Sequence, residues 1–587
     1  MSRSRAIPGG SRNIHLPGNA TEQAFVTEFR GKGEVNQLLS VQAPREDRGL
    51  GSLVPLMRTL LLLATGVFFC LHFVHLKADF PNNSPWMDWA KYTDEGWYGD
   101  AAIRHFELGR WYVPGDFNPA AALPVWPLLE AVVFRFTGVG LVPARALTVV
   151  VFGLTLLFAY RLSRRSILRA QIRGAGSETM AAEAGILLLA VSPFCYAFTR
   201  MAVLEPLLVL LTLLALEAAS FLDVSAGSRW RRIWPLLALG VLLPTMVLTK
   251  TTAVFLFPSI FWMLFARVGY RWRLLLRQAA VPTAIGGALW LAYFGLVVRP
   301  HFLTDYRYLF SANGYTGITS ENFREVILNT VRDGMWLGNV LFPLALVMVV
   351  VALLRWRLLL KNPLLVSLIL WAAGYMVFLA YHNNLQPRYY LVVAVPLTLL
   401  APLVLDAIWR KTEGLAGRAS VVAMVGVLLT IVVSDARKTL GFVRSPEYTF
   451  LRAAEGIRAI IKAEPGHNPL VLSISGSDLS LMTGVPSICD DFGTMELEQR
   501  VATYRPGWYV SWNQVDDDKM DALTPTYHLE RVAAFPAMDD PDRNLLILYR
   551  LDPADGRHGS HGRKRKPTPQ LLRTRLGQQP SVSQLEH

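Results

Sequence analysis

Apolar residues gather into runs of roughly 18 to 22 between residues 53 and 433, the length that carries a helix across about 30 Å of hydrocarbon. The pattern predicts spans near 53–76, 141–162, 181–198, 206–222, 234–249, 252–267, 278–298, 336–354, 364–381, 389–408 and 419–434, eleven in all. Residues 1–52 have no apolar period and are rich in Gly, Arg, Asn, Gln and Ser, which reads as a disordered tail. The first apolar run starts after that tail and is too long for the core of a cleaved leader, so it is expected to span.

Two segments break the rhythm. The stretch 77–123 is long and polar, and long connections are where function concentrates. In 124–137, Val125, Leu128, Leu129, Val132, Val133 and Phe136 recur at helical spacing, but the segment is short and holds Glu130 and Arg135. It is therefore expected to be a helix lying on the membrane surface, so that the first outer loop occupies 77–140. With that choice, positive charge alternates between successive loops. One set holds Arg161, Arg164, Arg165, Arg169 and Arg173; Arg229, Arg231 and Arg232; Arg267, Arg271, Arg273 and Arg277; Arg355, Arg357 and Lys361; and Arg410, Lys411 and Arg418. By the positive-inside rule these face the cytoplasm, and the poorer loops face outward. An odd number of crossings then puts 435–553 outside. Its soluble composition, helix-like 448–462 and strand-like 470–475, 508–512, 529–535 and 544–551 predict a small α/β domain. Residues 554–587, with Arg563, Lys564, Arg565 and Lys566, read as a disordered basic tail.

Composition agrees with a polytopic α-helical membrane protein: 52% of residues are apolar and 17% charged, with a mean hydropathy of +0.32, against about 25% charged for a soluble domain. The net charge of +14 is read as membrane orientation, and no nucleic-acid partner is expected. Cys70, Cys195 and Cys489 are too few and too scattered for a disulfide framework, and neither a P-loop nor a zinc-ligand spacing appears.

Candidate chemistry lies on the outward side. The first outer loop carries Asp94 and Glu95 within Tyr92-Thr93-Asp94-Glu95-Gly96-Trp97-Tyr98, ahead of a helix in which Asp100, Arg104 and Glu107 share a polar face. Two neighbouring acids on an arbitrary loop are more often merely solvated. Other charges, however, stand at outer span ends: Arg200 and Glu205, Lys250 between two apolar helices, and Arg388 ahead of Tyr389 and Tyr390. Ionisable groups at membrane depth cost a few kcal/mol each and so face a partner, a cavity or a ligand.

The order of these motifs resembles the GT-C glycosyltransferases, nearest in pattern to the protein O-mannosyltransferases and the lipid A aminoarabinose transferases. The matching residues are Asp94-Glu95, Ser192-Pro193, Arg200, Glu205, Lys250, Arg388-Tyr389-Tyr390 and Pro396, over about residues 55–434. The chain departs from the aminoarabinose transferases at residues 118–124, where Asn-Pro-Ala-Ala-Ala-Leu-Pro replaces an aromatic-Glu-Lys-Pro-Pro run, and Glu205 stands where many relatives carry Asp.

The resemblance implies transfer of a sugar, hexose or pentose, from a polyprenyl-phosphate carrier to a hydroxyl of a protein, glycan or lipid, with inversion, at the extracytoplasmic face of the cytoplasmic membrane. Asp94, Glu95 and Glu205 are then the catalytic carboxylates, Asp94 as base. Arg200, Lys250, Arg388 and Tyr389 are the donor-phosphate ligands. No cofactor is assigned, and a divalent cation is left open, for which Asp94, Glu95, Asp116, Glu205, His301 and His382 could supply ligands. Trp97, Trp111, Trp126 and Trp336 are expected as interfacial anchors. Two alternatives stay open. A lipid-linked glycan ligase or polymerase would place its working loop late in the chain, as 299–335 with His301, Asp305, Tyr306, Arg307 and Tyr308 would allow. A secondary transporter would show two related halves, and no internal repeat is visible.

Overall fold

The computed structural model describes residues 53–554 apart from 93, 173–178, 224–227, 313–321, 383–385, 411–413, 474–475, 514, 539 and 541–542. The tail expected at 1–52, and that at 554–587 apart from Ala554, lie outside the described residues, as do Thr93, Arg173 and Lys411. The chain divides into two compact units after Met57, the described part of the first being the opening of one helix.

The helices are α1 (Leu53–Leu71), α2 (Asp94–Leu108), α3 (Val125–Thr137), α4 (Leu141–Ile172), α5 (Ala181–Val191), α6 (Pro193–Phe198), α7 (Leu204–Phe221), α8 (Arg229–Thr249), α9 (Phe257–Arg267), α10 (Trp272–Tyr293), α11 (Leu303–Ala312), α12 (Phe323–Asp333), α13 (Leu341–Leu354), α14 (Trp356–Lys361), α15 (Pro363–Tyr381), α16 (Leu391–Trp409), α17 (Leu415–Arg444), α18 (Thr449–Ala463), α19 (Gly476–Thr483), α20 (Leu497–Tyr504) and α21 (Asp517–Leu523). All eleven predicted spans are helical, but among the described residues eight are long and apolar enough to cross a membrane, or nine if one bent pair counts as a single span. The remaining three have physical breaks. In 181–198, Pro193 starts a new helix, with Ser192 Oγ accepting from Cys195 N at 3.2 Å. A 3₁₀ stretch, Thr251–Leu256, opens 252–267. The third bends by 117° between Leu337 and Leu341.

Helix α3 is short and two-faced. Trp126, Glu130 and Phe134 are buried, whereas Leu128, Val132 and Phe136 point outward, so the apolar stripe is the free face. That is the distribution a helix lying in a lipid interface needs. Full burial of Trp126 corrects its reading as a surface anchor.

Strands β1 (Val471–Ser473), β2 (Ser487–Cys489), β3 (Trp508–Trp512), β4 (Tyr527–Pro536) and β5 (Leu545–Pro553) form one sheet in the order β2-β1-β3-β5-β4. β1 pairs in parallel with β2 and β3, and β5 runs antiparallel to β3 and β4. The strands meet the expectation, with β2 in addition. The stretch 77–123 proves to be built into this region. Tyr92 packs in one apolar core with Phe450, Ile457, Trp508 and Leu548, and Val113 in another with Leu472, Tyr509 and Leu551. Asp79 caps α18, accepting from Phe450 N at 2.8 Å and Leu451 N at 3.2 Å.

Candidate active site

Helix α2 begins at the Asp94-Glu95 pair, where negative charge suits the positive end of the helix dipole. Adjacent helical positions point about 100° apart, so the two carboxylates reach different partners. Asp94 Oδ2 meets Arg388 Nη2 at 2.5 Å. Arg388 sits on the 3₁₀ turn Pro387–Tyr390 that leads into α16, and it also forms an ion pair with Asp88. Asp88 Oδ2 accepts from Arg388 N at 2.8 Å, and its Oδ1 from Ala90 N at 2.8 Å. One buried guanidinium thus joins two buried carboxylates.

The next residue completes the group. Tyr389 accepts a hydrogen bond from Arg388 Nη2 at 3.2 Å, and its ring lies 4.7 Å from the Arg388 guanidinium and 4.2 Å from Lys250 Nζ. Lys250, at the C-cap of α8, is ion-paired to Glu205 in the first turn of α7. Beside these, burial pushes the Tyr98 phenol well above its ordinary range, and the negative charge of Asp94 adds to the shift. The His382 ring is 5.6 Å from that of Tyr389. Burial, then the charges of Lys250 and Arg388, push it down to about 4, so it stays neutral near pH 7. Asp94, Glu205, Lys250, Arg388 and Tyr389 are therefore brought together at the ends of α2, α7, α8 and α16.

Glu95 and Arg200 belong to a neighbouring network. Glu95 is held by Arg145, with Oε1 2.8 Å from Nε and Oε2 2.5 Å from Nη2, and its Oε1 also accepts from Ala202 N at 2.8 Å. Arg200 Nη2 donates to Val74 O at 2.7 Å and His75 O at 2.6 Å, while its guanidinium stacks 4.4 Å from the Tyr196 ring. This network fastens the end of the first span to the loop.

On the polar face of α2, Asp100 and Arg104 are buried and Glu107 is half-buried. Arg104 meets Asp100 at 2.7 Å and Asp116 at 2.5 Å, and Asp116 also meets Arg500 at 3.1 Å. Asn118 Nδ2 donates to Asp305 Oδ1 at 2.9 Å, and Tyr308 OH accepts from Gly493 N at 3.1 Å, so α11 is tied to both the loop and the sheet region. Burial pushes the Asp100 carboxyl up to about 7 against the opposing pull of Arg104 and Ser477. On α3, Glu130 is fully buried, and its carboxylate packs where Gly99 has no side chain. Its carboxyl is pushed well above the usual range by burial.

The six candidate metal ligands do not converge. Asp94, Glu95, Asp116 and Glu205 each face an arginine or lysine, and among the described residues no group of three or more His, Cys, Asp or Glu could hold an ion. The sequence reading missed Asp88 and Arg145. Arg145 carried a signal, as a lone charge four residues into an apolar span. Asp88 carried none beyond its place in the long polar loop.

No family model matches the sequence, and no curated protein matches it. Solved structures do. ArnT from Cupriavidus metallidurans in the apo state aligns with a TM-score of 0.55 at 16% identity, over 84% of this chain and 98% of that chain. ArnT from Cupriavidus metallidurans bound to undecaprenyl phosphate aligns with a TM-score of 0.56 at 17% identity, over the same shares, 84% and 98%. The chain has a GT-C fold. Such coverage makes the GT-C likeness one of whole architecture rather than of a few apolar helices. The Archaeoglobus fulgidus oligosaccharyltransferase is also similar, with a TM-score of 0.48 at 12% identity over 77% of this chain and 69% of that one.

Proposed function

We propose that the chain is a membrane glycosyltransferase that moves a sugar from a polyprenyl-phosphate carrier to a hydroxyl acceptor on the extracytoplasmic face. The observation that carries this reading is the convergence of the Asp94 carboxylate with two cations, Lys250 and Arg388, around Tyr389 at one end of the helices. The GT-C fold and the similarity to an ArnT structure that holds undecaprenyl phosphate support it.

In this reading the acceptor oxygen attacks the anomeric carbon while the bond from that carbon to the phosphate oxygen breaks. Asp94 takes the acceptor's proton. The leaving polyprenyl phosphate keeps the bonding electrons, and Lys250 and Arg388 stabilise the charge that grows on it. Glu205 positions Lys250, and Tyr389 supplies the surface between the cations. Glu95 and Arg200 act as frame, through Arg145 and the 74–75 carbonyls. Inversion in a single displacement is what the resemblance to the GT-C glycosyltransferases implies.

The test incubates purified protein with a panel of radiolabelled polyprenyl-phosphate sugars and membrane extract. One donor should label a product, and Asp94→Asn should slow transfer by roughly a hundredfold or more while donor binding persists, the scale of general-base catalysis. No labelled product from any donor, or near-normal turnover in the variant, would overturn the reading. Sidedness is tested by cysteine labelling of intact cells: engineered sites in 435–553 should react and sites at 163–172 should not, and the reverse would move the reaction to the other face.

A further inference from the structure

An apolar groove of about 540 Å³ runs between α9 and α10. That volume falls within the range of ligand clefts, about 300–1,000 Å³. Phe261, Trp262 and Phe265 form one wall, at helical spacing along α9, and Trp272, Leu276 and Ala280 line the other. Trp272, Leu276 and Ala280 are exposed, so the groove opens sideways onto the surface of the bundle.

Its depth and place follow from how α8 and α10 pack. Gly240 of α8 lies against Ile285, and Gly286 of α10 against Pro244, so the two helices run parallel with their starts near one level. α8 starts at Arg229 and is capped by Lys250, about 30 Å on. The groove begins at Trp272, the first residue of α10, and therefore lies at the end of the bundle opposite Lys250. It reaches Thr283 eleven residues further, about 16 Å along the axis. That is about half of a 30 Å hydrocarbon layer, the depth of one leaflet and so of one acyl chain.

The charge at the mouth selects among lipids. Arg273 and Arg277 stand three residues before Leu276 and Ala280, on the same side of α10. Helical side chains tilt toward the N-terminus of their own helix, so both guanidiniums reach back toward the mouth. Both are exposed, and among the described residues neither is engaged by a carboxylate. Arg229, Arg231 and Arg232, at the neighbouring start of α8, are exposed as well and add positive charge at the same level. The Phe265 ring lies 4.6 Å from that of Trp272 and 5.4 Å from that of Tyr270. Aromatic rings of this kind belong at the boundary between headgroups and hydrocarbon.

We propose that this groove binds one anionic phospholipid, with an acyl chain between α9 and α10 and its phosphate against Arg273 and Arg277, independently of the transfer reaction. A neutral lipid would fill the apolar walls equally well but would leave the arginines without a counter-charge. A guanidinium fork matches phosphate oxygens in geometry as well as charge, and basic pockets between transmembrane helices take anionic headgroups.

The test measures lipid retained by the full-length purified protein in native mass spectrometry, after exchange into phosphatidylglycerol, phosphatidylcholine or polyprenyl phosphate. Three variants are compared with the wild type: Arg273→Gln/Arg277→Gln, the groove-filling Ala280→Phe, and Arg355→Gln/Arg357→Gln, a pair of exposed arginines that do not line the groove. Wild type should retain phosphatidylglycerol in preference to the other two lipids. The first double variant should retain about thirtyfold less of it, the scale of two basic residues at an anionic surface. Ala280→Phe should lose it with all charges in place, and the control pair should match the wild type. Phosphatidylcholine or polyprenyl phosphate retained as well as phosphatidylglycerol overturns the proposal. So does an equal loss in the control pair, which would mean a diffuse field, or full retention in Ala280→Phe, which would mean a headgroup without a groove. If the glutamine pair does not fold, Ala280→Phe decides alone, because the substitution is at an exposed position and leaves every arginine unchanged.

Discussion

Arg388→Met should destabilise the protein in a way that acid relieves. The substitution keeps much of the side chain's bulk but takes from Asp88 and Asp94 the guanidinium they share, at a place where both carboxylates are buried. Removing one partner of a buried ion pair commonly costs about 3–5 kcal/mol. The loss also has a ceiling, because a stranded carboxylate can take up a proton. For an ordinary aspartate at pH 7 that uptake costs about 4 kcal/mol, so two acids bound the penalty near 8 kcal/mol. Burial already raises the Asp88 carboxyl against the pull of Arg388, so its share lies below the ceiling. Each unit of pH lowers the ceiling by about 1.4 kcal/mol per acid, and by pH 5 it is roughly 1.5 kcal/mol each. The measurement is the unfolding temperature of wild type and Arg388→Met in the same detergent from pH 5 to pH 8. The gap should be several degrees at pH 8 and most of it should close at pH 5, and Asp88→Asn added to Arg388→Met should recover part of it at pH 8. A gap that does not change with pH, or no gap, would refute the shared-cation arrangement.

Glu95→Gln should lower stability by about 3–5 kcal/mol because it strands Arg145, whereas Asp94→Asn should act mainly on turnover; thermal unfolding and transfer rates measured side by side check the division, and equal loss of rate with no loss of stability would make Glu95 a reacting group. Gly96→Ala should open the contact between α2 and α19, since a Cβ there would collide with the main chain of Asp478; overpacking of this kind costs about 1–3 kcal/mol, and limited proteolysis should cut 435–553 faster than in Gly287→Ala, where nothing stands in the way. Burial pushes the Asp490 carboxyl up to about 6 against the pull of Lys519 at 3.2 Å. A raised acid contributes stability that is complete below about pH 4 and lost as pH rises through 6, on the order of 3 kcal/mol; Asp490→Asn should flatten the unfolding-temperature profile over that window, and an unchanged slope would remove the assignment.

The helices were legible because crossing hydrocarbon demands a run of fixed length and polarity, which is a local property of the chain. Glu205, Lys250 and Arg388 were legible for a related reason: a charge at the edge of an apolar run is costly wherever the run ends up, whereas Asp94, in the long polar loop, stood out only as half of an adjacent acid pair matching the GT-C pattern. The strands of the sheet region were visible except β2. What the sequence could not supply was the pairing. Arg388 meets Asp88 and Asp94 across about three hundred residues, and Lys250 meets Glu205 from the next helix. A pattern records that a charge is present but not which helix end will stand beside it. The polar face of α2 has the same origin: periodicity puts Asp100 and Arg104 on one face but does not show that Asp116, Arg500 and Ser477, brought from elsewhere in the chain, let them be buried. A buried charge survives through its complement, and only the tertiary structure decides where that complement is.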